Sequence, residues 1–126
     1  MHAIDTNILV RLISRDDREQ VKSAEDDISS GAWVSQIVLV ETIWVLQSVY
    51  GLNNEKIILT LEMLLKHQKL IFQNVDVIEQ ALLHYKDKLR LGFSDCLILA
   101  TAQKAAYRPL STFDKNFAKL EGVREI

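Results

Sequence analysis

Short apolar runs alternate along the chain with longer stretches in which apolar residues recur every three or four positions. The longer pattern is typical of helices that bury one face, and the short runs are typical of buried strands. The pattern predicts five strands, at residues 1–5, 33–35, 70–72, 110–112 and 123–126. It predicts seven helices, at residues 6–14, 18–29, 36–50, 55–67, 75–91, 94–107 and 115–120.

Polar residues and glycines at the segment ends agree with these boundaries. Gly51 is expected to end the helix 36–50, and either Asn53 or Asn54 is expected to cap the next one. Ser94 is expected to cap the helix 94–107. Strands that alternate with helices predict an α/β fold, in which a short, mainly parallel and twisted sheet lies between helices in three layers. A chain of 126 residues predicts a single domain, 1–126.

Composition narrows the functional classes. Hydrophobic residues make up 48% of the chain and charged residues 25%, as in ordinary globular proteins. No apolar run reaches the roughly 20 residues that span a bilayer, so no membrane association is expected. The strand-like start predicts no signal peptide, and the single cysteine, Cys96, fits a reducing cytoplasm. The net charge of −2 does not support strong nonspecific binding to nucleic acid.

Four acids occupy positions of interest. Asp5, Asp95 and Asp114 each lie where a helix is expected to begin, and Glu41 lies in the most apolar segment of the chain. Each aspartate could simply serve a helix start, as a cap or as a charge favoured by the helix dipole. Glu41 is expected to be buried, where an ionised carboxylate is costly unless a cation or an arginine meets it.

Taken together, the acids predict a metal site. Ligands of parallel α/β sheets bind at the carboxyl ends of the strands, and Asp5 and Asp114 follow strands directly. Clustered carboxylates repel one another, and a divalent cation removes that repulsion. All-oxygen ligands favour Mg²⁺ or Mn²⁺. Zinc is not expected, because the three histidines have no ligand spacing and the chain has one cysteine.

Four segments carry a resemblance to a known family. They read IDTNILVR at 4–11, VETIWVL at 40–46, FSDCLI at 93–98 and STFDKNF at 111–117. Each motif is weak alone, but in this order and over nearly the whole chain they resemble the PIN-domain ribonucleases of the VapC toxin type. The resemblance implies a Mg²⁺- or Mn²⁺-dependent endoribonuclease whose catalytic and metal-binding acids are Asp5, Glu41, Asp95 and Asp114.

The resemblance also implies supporting residues and partners. Asn7 and Thr112 match supporting positions, and Arg11 and Arg108 are predicted to contact the RNA substrate. Toxins of this type pair with a small antitoxin protein and form homodimers. Four apolar residues are candidates to line or back an antitoxin groove: Ile8, Leu12, Trp44 and Leu46.

Two departures from the family pattern matter. Asn116 stands where many relatives carry another acid, which favours one bound metal over two. The segment 105–109 lacks the glycine that often ends the preceding helix, so an unusual loop is expected beside the site.

Two other functions remain open at this point. One is a catalytically silent PIN fold that only binds a partner. The other is a phospho-receiver domain, which needs two adjacent acids after the first strand, where this chain has Asp5-Thr6-Asn7.

Overall fold

A computed structural model describes residues 1–87 and 91–126 of the chain. These residues fall into two compact units, Met1–Gln73 and Asn74–Ile126. Each unit contains its own parallel strands. The single domain expected over residues 1–126 stays a prediction.

The first unit is built from three strands and four helices. Its strands pair in the order β1-β2-β3, and both pairings are parallel. In β2 and β3 the side chains alternate between buried and exposed, as expected for strands whose successive side chains point to opposite faces. The elements are β1 His2–Ala3, α1 Thr6–Ser14, α2 Arg18–Asp27, β2 Ala32–Val34, α3 Gln36–Ser48, α4 Asn54–Leu65 and β3 Leu70–Phe72.

Helices α1 and α3 pack against each other in this unit. Each follows a parallel strand, α1 after β1 and α3 after β2, so both start at the carboxyl edge of the sheet. Their buried apolar side chains include Leu9 and Val10 of α1 and Leu39, Ile43 and Leu46 of α3. Burial of this apolar surface is the main force that holds the two helices together.

The second unit contains two longer helices followed by a small parallel strand pair. Helices α5 and α6 pack together, and the rings of Tyr85 and Phe93 meet edge to face at 5.8 Å. The elements are α5 Val75–Asp87, α6 Phe93–Lys104, β4 Leu110–Thr112, a 3-10 turn Phe117–Lys119 and β5 Val123–Glu125. The helix predicted over 75–91 runs across residues 88–90, which lie outside the described residues.

The α/β class with short parallel strands is confirmed. The strands are hydrogen-bonded as one sheet of three and one of two. Asn53 caps α4, because its side chain accepts the amide of Lys56. The cap predicted at Ser94 is wrong: α6 begins one residue earlier, at the buried Phe93, and Gly92 is its N-cap without a side-chain hydrogen bond. None of the described helices is long and apolar enough to cross a membrane.

At the end of α6, an alanine occupies a backbone conformation that favours glycine. The helix stops at Lys104, and Ala106 adopts a left-handed backbone with φ of 66°. The amides of Ala106 and Tyr107 then bond back to the carbonyls of Gln103 and Ala102. A left-handed conformation costs a residue with a Cβ roughly 1 kcal/mol, a penalty that glycine does not have.

Replacing Ala106 with glycine should therefore stabilise the protein by about 1 kcal/mol. The matched control is Ala105→Gly, since Ala105 is right-handed with φ of −77° and gains nothing from glycine. Urea unfolding of both variants measures the difference. A glycine at 106 that stabilises no more than a glycine at 105 would contradict the strain assigned to Ala106.

Candidate functional site

Asp5 lies at the junction of β1 and α1. Its backbone is extended, and its Oδ1 accepts the amide of Ile8 at 3.2 Å, so it is the N-cap of α1. The side chain is exposed, and no described residue donates to Oδ2. A carboxylate has about four lone-pair sites, so capping leaves room for a cation. The capping role and the ligand role of Asp5 are therefore compatible.

Glu41 lies on an exposed face of α3, which corrects the expectation that it is buried. Ile37, one turn before it, is 80% exposed, and Trp44, one turn after it, is 64% exposed. No ion pair or hydrogen bond joins Glu41 to another described residue, so the alternative of a buried pair with arginine has no support. The sequence misled because α3 is apolar on nearly all sides, and hydrophobicity alone does not reveal which side faces the core.

Asp95 and Asp114 interact electrostatically within the second unit. Asp95 is half-buried in the first turn of α6, and burial raises the pKa of its carboxyl. The charge of Asp114 raises this pKa further, while a backbone hydrogen bond at Gly92 lowers it. The fold thus holds one carboxylate beside another and partly out of water, an arrangement that disfavours the ionised form.

The loop that carries Asp114 is organised by short-range hydrogen bonds. Asp114 Oδ1 accepts the amides of Asn116 at 2.8 Å and Phe117 at 3.1 Å. The hydroxyl of Thr112 accepts the amide of Asp114 at 3.0 Å. Thr112 therefore supports the acid by fixing its backbone, and as at Asp5, the Oδ2 of Asp114 receives no donor from the described residues.

The chemistry of this acidic pair fits a hard divalent cation. Two carboxylates that repel each other supply the oxygen ligands that Mg²⁺ and Mn²⁺ prefer. The neighbouring Cys96 is buried, and burial followed by the charge of Asp95 raises the pKa of its thiol to about 11. The thiol is therefore neutral at pH 7, which makes it a poor ligand for a soft metal.

The described residues contain no group of three or more acids, histidines or cysteines that could hold a metal ion of any kind. His2 contacts Asp27 at 2.7 Å, and His84 contacts Gln103 at 3.1 Å. Each unit supplies two of the four candidate acids, Asp5 and Glu41 from the first and Asp95 and Asp114 from the second.

The two predicted substrate arginines have different surroundings. The guanidinium of Arg11 donates to Asp16 and to Tyr50, each at 3.0 Å. Sequence reasoning missed these partners, because Tyr50 is 39 residues away and no local pattern announces the contact. Arg108 is exposed and lines a cavity of about 430 Å³ in the second unit. Contact of either arginine with substrate stays a prediction.

The remaining predicted residues also divide by exposure. Asn7 is exposed and lines a cavity of about 350 Å³ in the first unit. Of the groove candidates, Trp44 is exposed and Leu46 is 1% exposed, so Leu46 belongs to the core. Ile8 and Leu12 are partly exposed. An apolar partner could reach Trp44 directly, whereas Leu46 could only back such a groove.

Comparison with known proteins identifies one family. A family model described as "PIN domain" matches residues 3–123. No curated protein matches the chain significantly. Among solved structures, a "Toxin-antitoxin complex from Klebsiella pneumoniae" is 26% identical over 100% of this chain and 100% of the other, with a TM-score of 0.36. A TM-score this low supports no structural inference.

The raised pKa of Asp95 predicts that Asp95→Asn stabilises the metal-free protein at pH 7. A carboxyl whose folded pKa is raised destabilises the fold once pH passes its ordinary value of 3.8, and asparagine carries no such charge. We expect the midpoint temperature of thermal unfolding, measured in chelator, to rise by about 1–3 °C. The gain should shrink as pH falls toward the ordinary carboxyl value of 3.8, because the folded Asp95, whose pKa is raised, takes up its proton before that pH is reached.

Asp5→Asn is the matched control for this measurement. Asparagine caps a helix as well as aspartate does, so no comparable gain is expected at Asp5. A pH-independent gain for Asp95→Asn, or none at pH 7, would contradict the electrostatic cost assigned to Asp95.

Proposed function

Because the chain belongs to the PIN domain family, whose members are generally nucleases that use divalent metals, we propose that it is a Mg²⁺- or Mn²⁺-dependent endoribonuclease. The observation that carries the proposal is the position of Asp95, which is half-buried in the first turn of α6 and also lies within the electrostatic reach of Asp114. A fold gains nothing in stability by keeping two carboxylates together and one of them half-buried. Conflicts of this kind concentrate at functional sites.

The proposed metal-binding and catalytic set consists of Asp5, Glu41, Asp95 and Asp114. Two observations support this assignment: no described residue donates to the Oδ2 atoms of Asp5 and Asp114, and Glu41 is exposed. When bound, a divalent cation would polarise the phosphodiester and lower the pKa of a bound water, giving a nucleophile at neutral pH. Asn116 carries no charge, which favours one resident metal over two.

The other residues of the chain would orient the acids and the substrate. Thr112 would hold the backbone of Asp114 through the hydrogen bond that it accepts. Asn7, two residues after Asp5 on α1, is proposed as a supporting amide. Arg108 is exposed and cationic, and it is proposed to contact a backbone phosphate of the RNA.

The resemblance of the four motifs to VapC-type toxins extends the proposal to partners. The protein would be the cytoplasmic toxin of a toxin–antitoxin pair, bound by a small antitoxin and able to form a homodimer. Exposed Ile37 and Trp44 support an apolar docking face on α3, because they lie two turns apart on one exposed side of the helix, and clustered exposed apolar side chains often mark an interface.

The two alternatives fare differently. Membership of the PIN family leaves the phospho-receiver without support. A silent PIN fold remains distinguishable only by assay, since it would bind a partner and cleave nothing.

We expect the purified protein to cleave members of a single-stranded RNA panel in Mg²⁺ or Mn²⁺ and to stop in chelator. Asp5→Asn and Asp95→Asn should each lower the rate by on the order of 10²-fold, because each removes a charge from the metal-binding set. Gel analysis of end-labelled RNA measures both effects and reports whether the products carry 5′-phosphates.

Asp17→Asn is a matched control. Asp17 caps α2 through the amide of Gln20 in the same way that Asp5 caps α1, and asparagine preserves a cap. Asp17→Asn should keep full activity. Cleavage that persists in chelator would refute the mechanism, as would equal activity of the Asp5 and Asp17 variants. A native protein that never cleaves would favour the silent fold.

A further inference from the structure

A closed polar cluster lies where α1 ends in the first unit. Arg11 Nη1 donates to Asp16 Oδ1 at 3.0 Å and to the hydroxyl of Tyr50 at 3.0 Å. Tyr50 in turn donates to Asp16 Oδ2 at 2.8 Å, so the three side chains form a ring of hydrogen bonds. We call Arg11, Asp16 and Tyr50 the clamp.

Two further contacts hold the clamp. Ser14 donates to Asp16 Oδ1 at 2.8 Å, and Arg11 Nε donates to Gln20 in a short contact. The hydrogen bonds from Ser14 and Tyr50 hold the pKa of Asp16 below its ordinary value. Asp16 therefore stays charged through the neutral range, and all three arginine contacts use guanidinium donors that an RNA phosphate would otherwise need.

The clamp joins segments that are distant in sequence. Arg11 and Ser14 belong to the last turns of α1, Asp16 lies between α1 and α2, and Tyr50 follows the end of α3. Close packing of the buried side chains of α1 and α3 already limits how far one helix slides along the other. Hydrogen bonds require a narrower range of distance and angle, so the clamp restricts this position further at the helix ends.

The position of α1 along α3 bears directly on two of the proposed acids. Asp5 caps the other end of α1, six residues from Arg11, which is about 9 Å along the helix axis. Glu41 lies on α3, nine residues before Tyr50, or about 14 Å. Both helices start at the same edge of the sheet, so a shift at the clamp changes the distance between the two carboxylates.

We infer that Arg11, Asp16 and Tyr50 are positioning residues, which set the spacing of Asp5 and Glu41 by locking the end of α1 to the end of α3. The expected effect on metal binding rests on the proposed nuclease function. The restriction of α1 relative to α3 by the clamp does not. Arg11 would then act by holding Tyr50 and not by binding RNA.

Tyr50→Phe is the direct test, because it removes the hydroxyl and keeps the ring. We expect the Mn²⁺ concentration for half-maximal cleavage to rise about tenfold, as for other residues that orient metal ligands. The KM for RNA should change less than about twofold, since no substrate contact is lost. Arg11→Lys keeps the positive charge but loses the planar guanidinium that donates to several partners at once. It should raise the half-maximal Mn²⁺ concentration in the same way.

Arg15→Gln is the matched control. Arg15 pairs with Glu25 at 3.3 Å, so it ties the end of α1 to α2 and not to α3. It should leave the metal dependence unchanged. In a Glu41→Gln background, Tyr50→Phe should lose most of its effect, because the carboxylate whose position it sets is gone.

Hydrogen exchange of the whole protein without metal tests the clamp independently of nuclease activity. Tyr50→Phe should speed exchange of the α1 and α3 amides, and Arg15→Gln should not affect α3. Unchanged exchange in Tyr50→Phe would overturn the clamp even if the protein is a nuclease. If Tyr50→Phe speeds exchange but the native protein neither binds Mn²⁺ nor cleaves RNA, the clamp is supported and the proposed function is rejected.

Two kinetic results would also overturn the inference. One is a large rise in the KM for RNA with unchanged Mn²⁺ dependence, which would make Arg11 a substrate contact. The other is the same rise in half-maximal Mn²⁺ concentration for Arg15→Gln as for Tyr50→Phe. That result would mean that the clamp only contributes to the general stability of the fold.

Discussion

The passage from a parallel strand into a helix is the constraint on which the candidate site depends. At this junction the backbone must turn from an extended to a helical conformation, and the first helical amides need acceptors. Asp5 meets this need after β1 and Ser35 meets it after β2, each by accepting an amide three residues ahead. Serine caps as well as aspartate does, so capping explains a polar residue at Asp5 but not its charge.

At Asp95, in contrast, a negative charge has a cost that no described residue offsets. Asp95 is half-buried beside Asp114, and its raised pKa records the penalty for ionising there. Glu41 lies exposed between Ile37 and Trp44, where a polar partner of its own is absent from the described residues. Proteins commonly sacrifice stability in this way where function demands it. A divalent cation would compensate for this cost at Asp95 and Asp114, which supports the proposed metal site.

The sequence predicted the features that depend on local pattern. The order of strands and helices, a cap at Asn53 or Asn54, and the aspartates at the starts of α1 and α6 follow from residues close together in the chain. The helix expected over residues 115–120 is wrong, because this segment forms only a 3-10 turn at Phe117–Lys119. Long-range placement was out of reach. The exposed side of α3 could not be read from a helix that is apolar on nearly all sides, so Glu41 was wrongly expected to be buried.

Other features also depended on tertiary context. The contact between Arg11 and Tyr50 spans 39 residues without a signal, and the start of α6 at Phe93 was decided by burial of that ring, not by the polar Ser94. The pairing of strands as a sheet of three and a sheet of two also leaves no local trace. The family's motif pattern located the four acids, but it carries no information on which of their oxygens already accept backbone amides.

We propose that Asp95 and Asp114 supply ligands to a hard cation. The most direct test is a crystal structure of the protein soaked in Mn²⁺, with an anomalous difference map recorded near the manganese edge. The expected result is one strong peak with oxygen ligands at about 2.1 Å that include both Asp95 and Asp114. No peak at these two carboxylates at saturating Mn²⁺ would contradict the proposal.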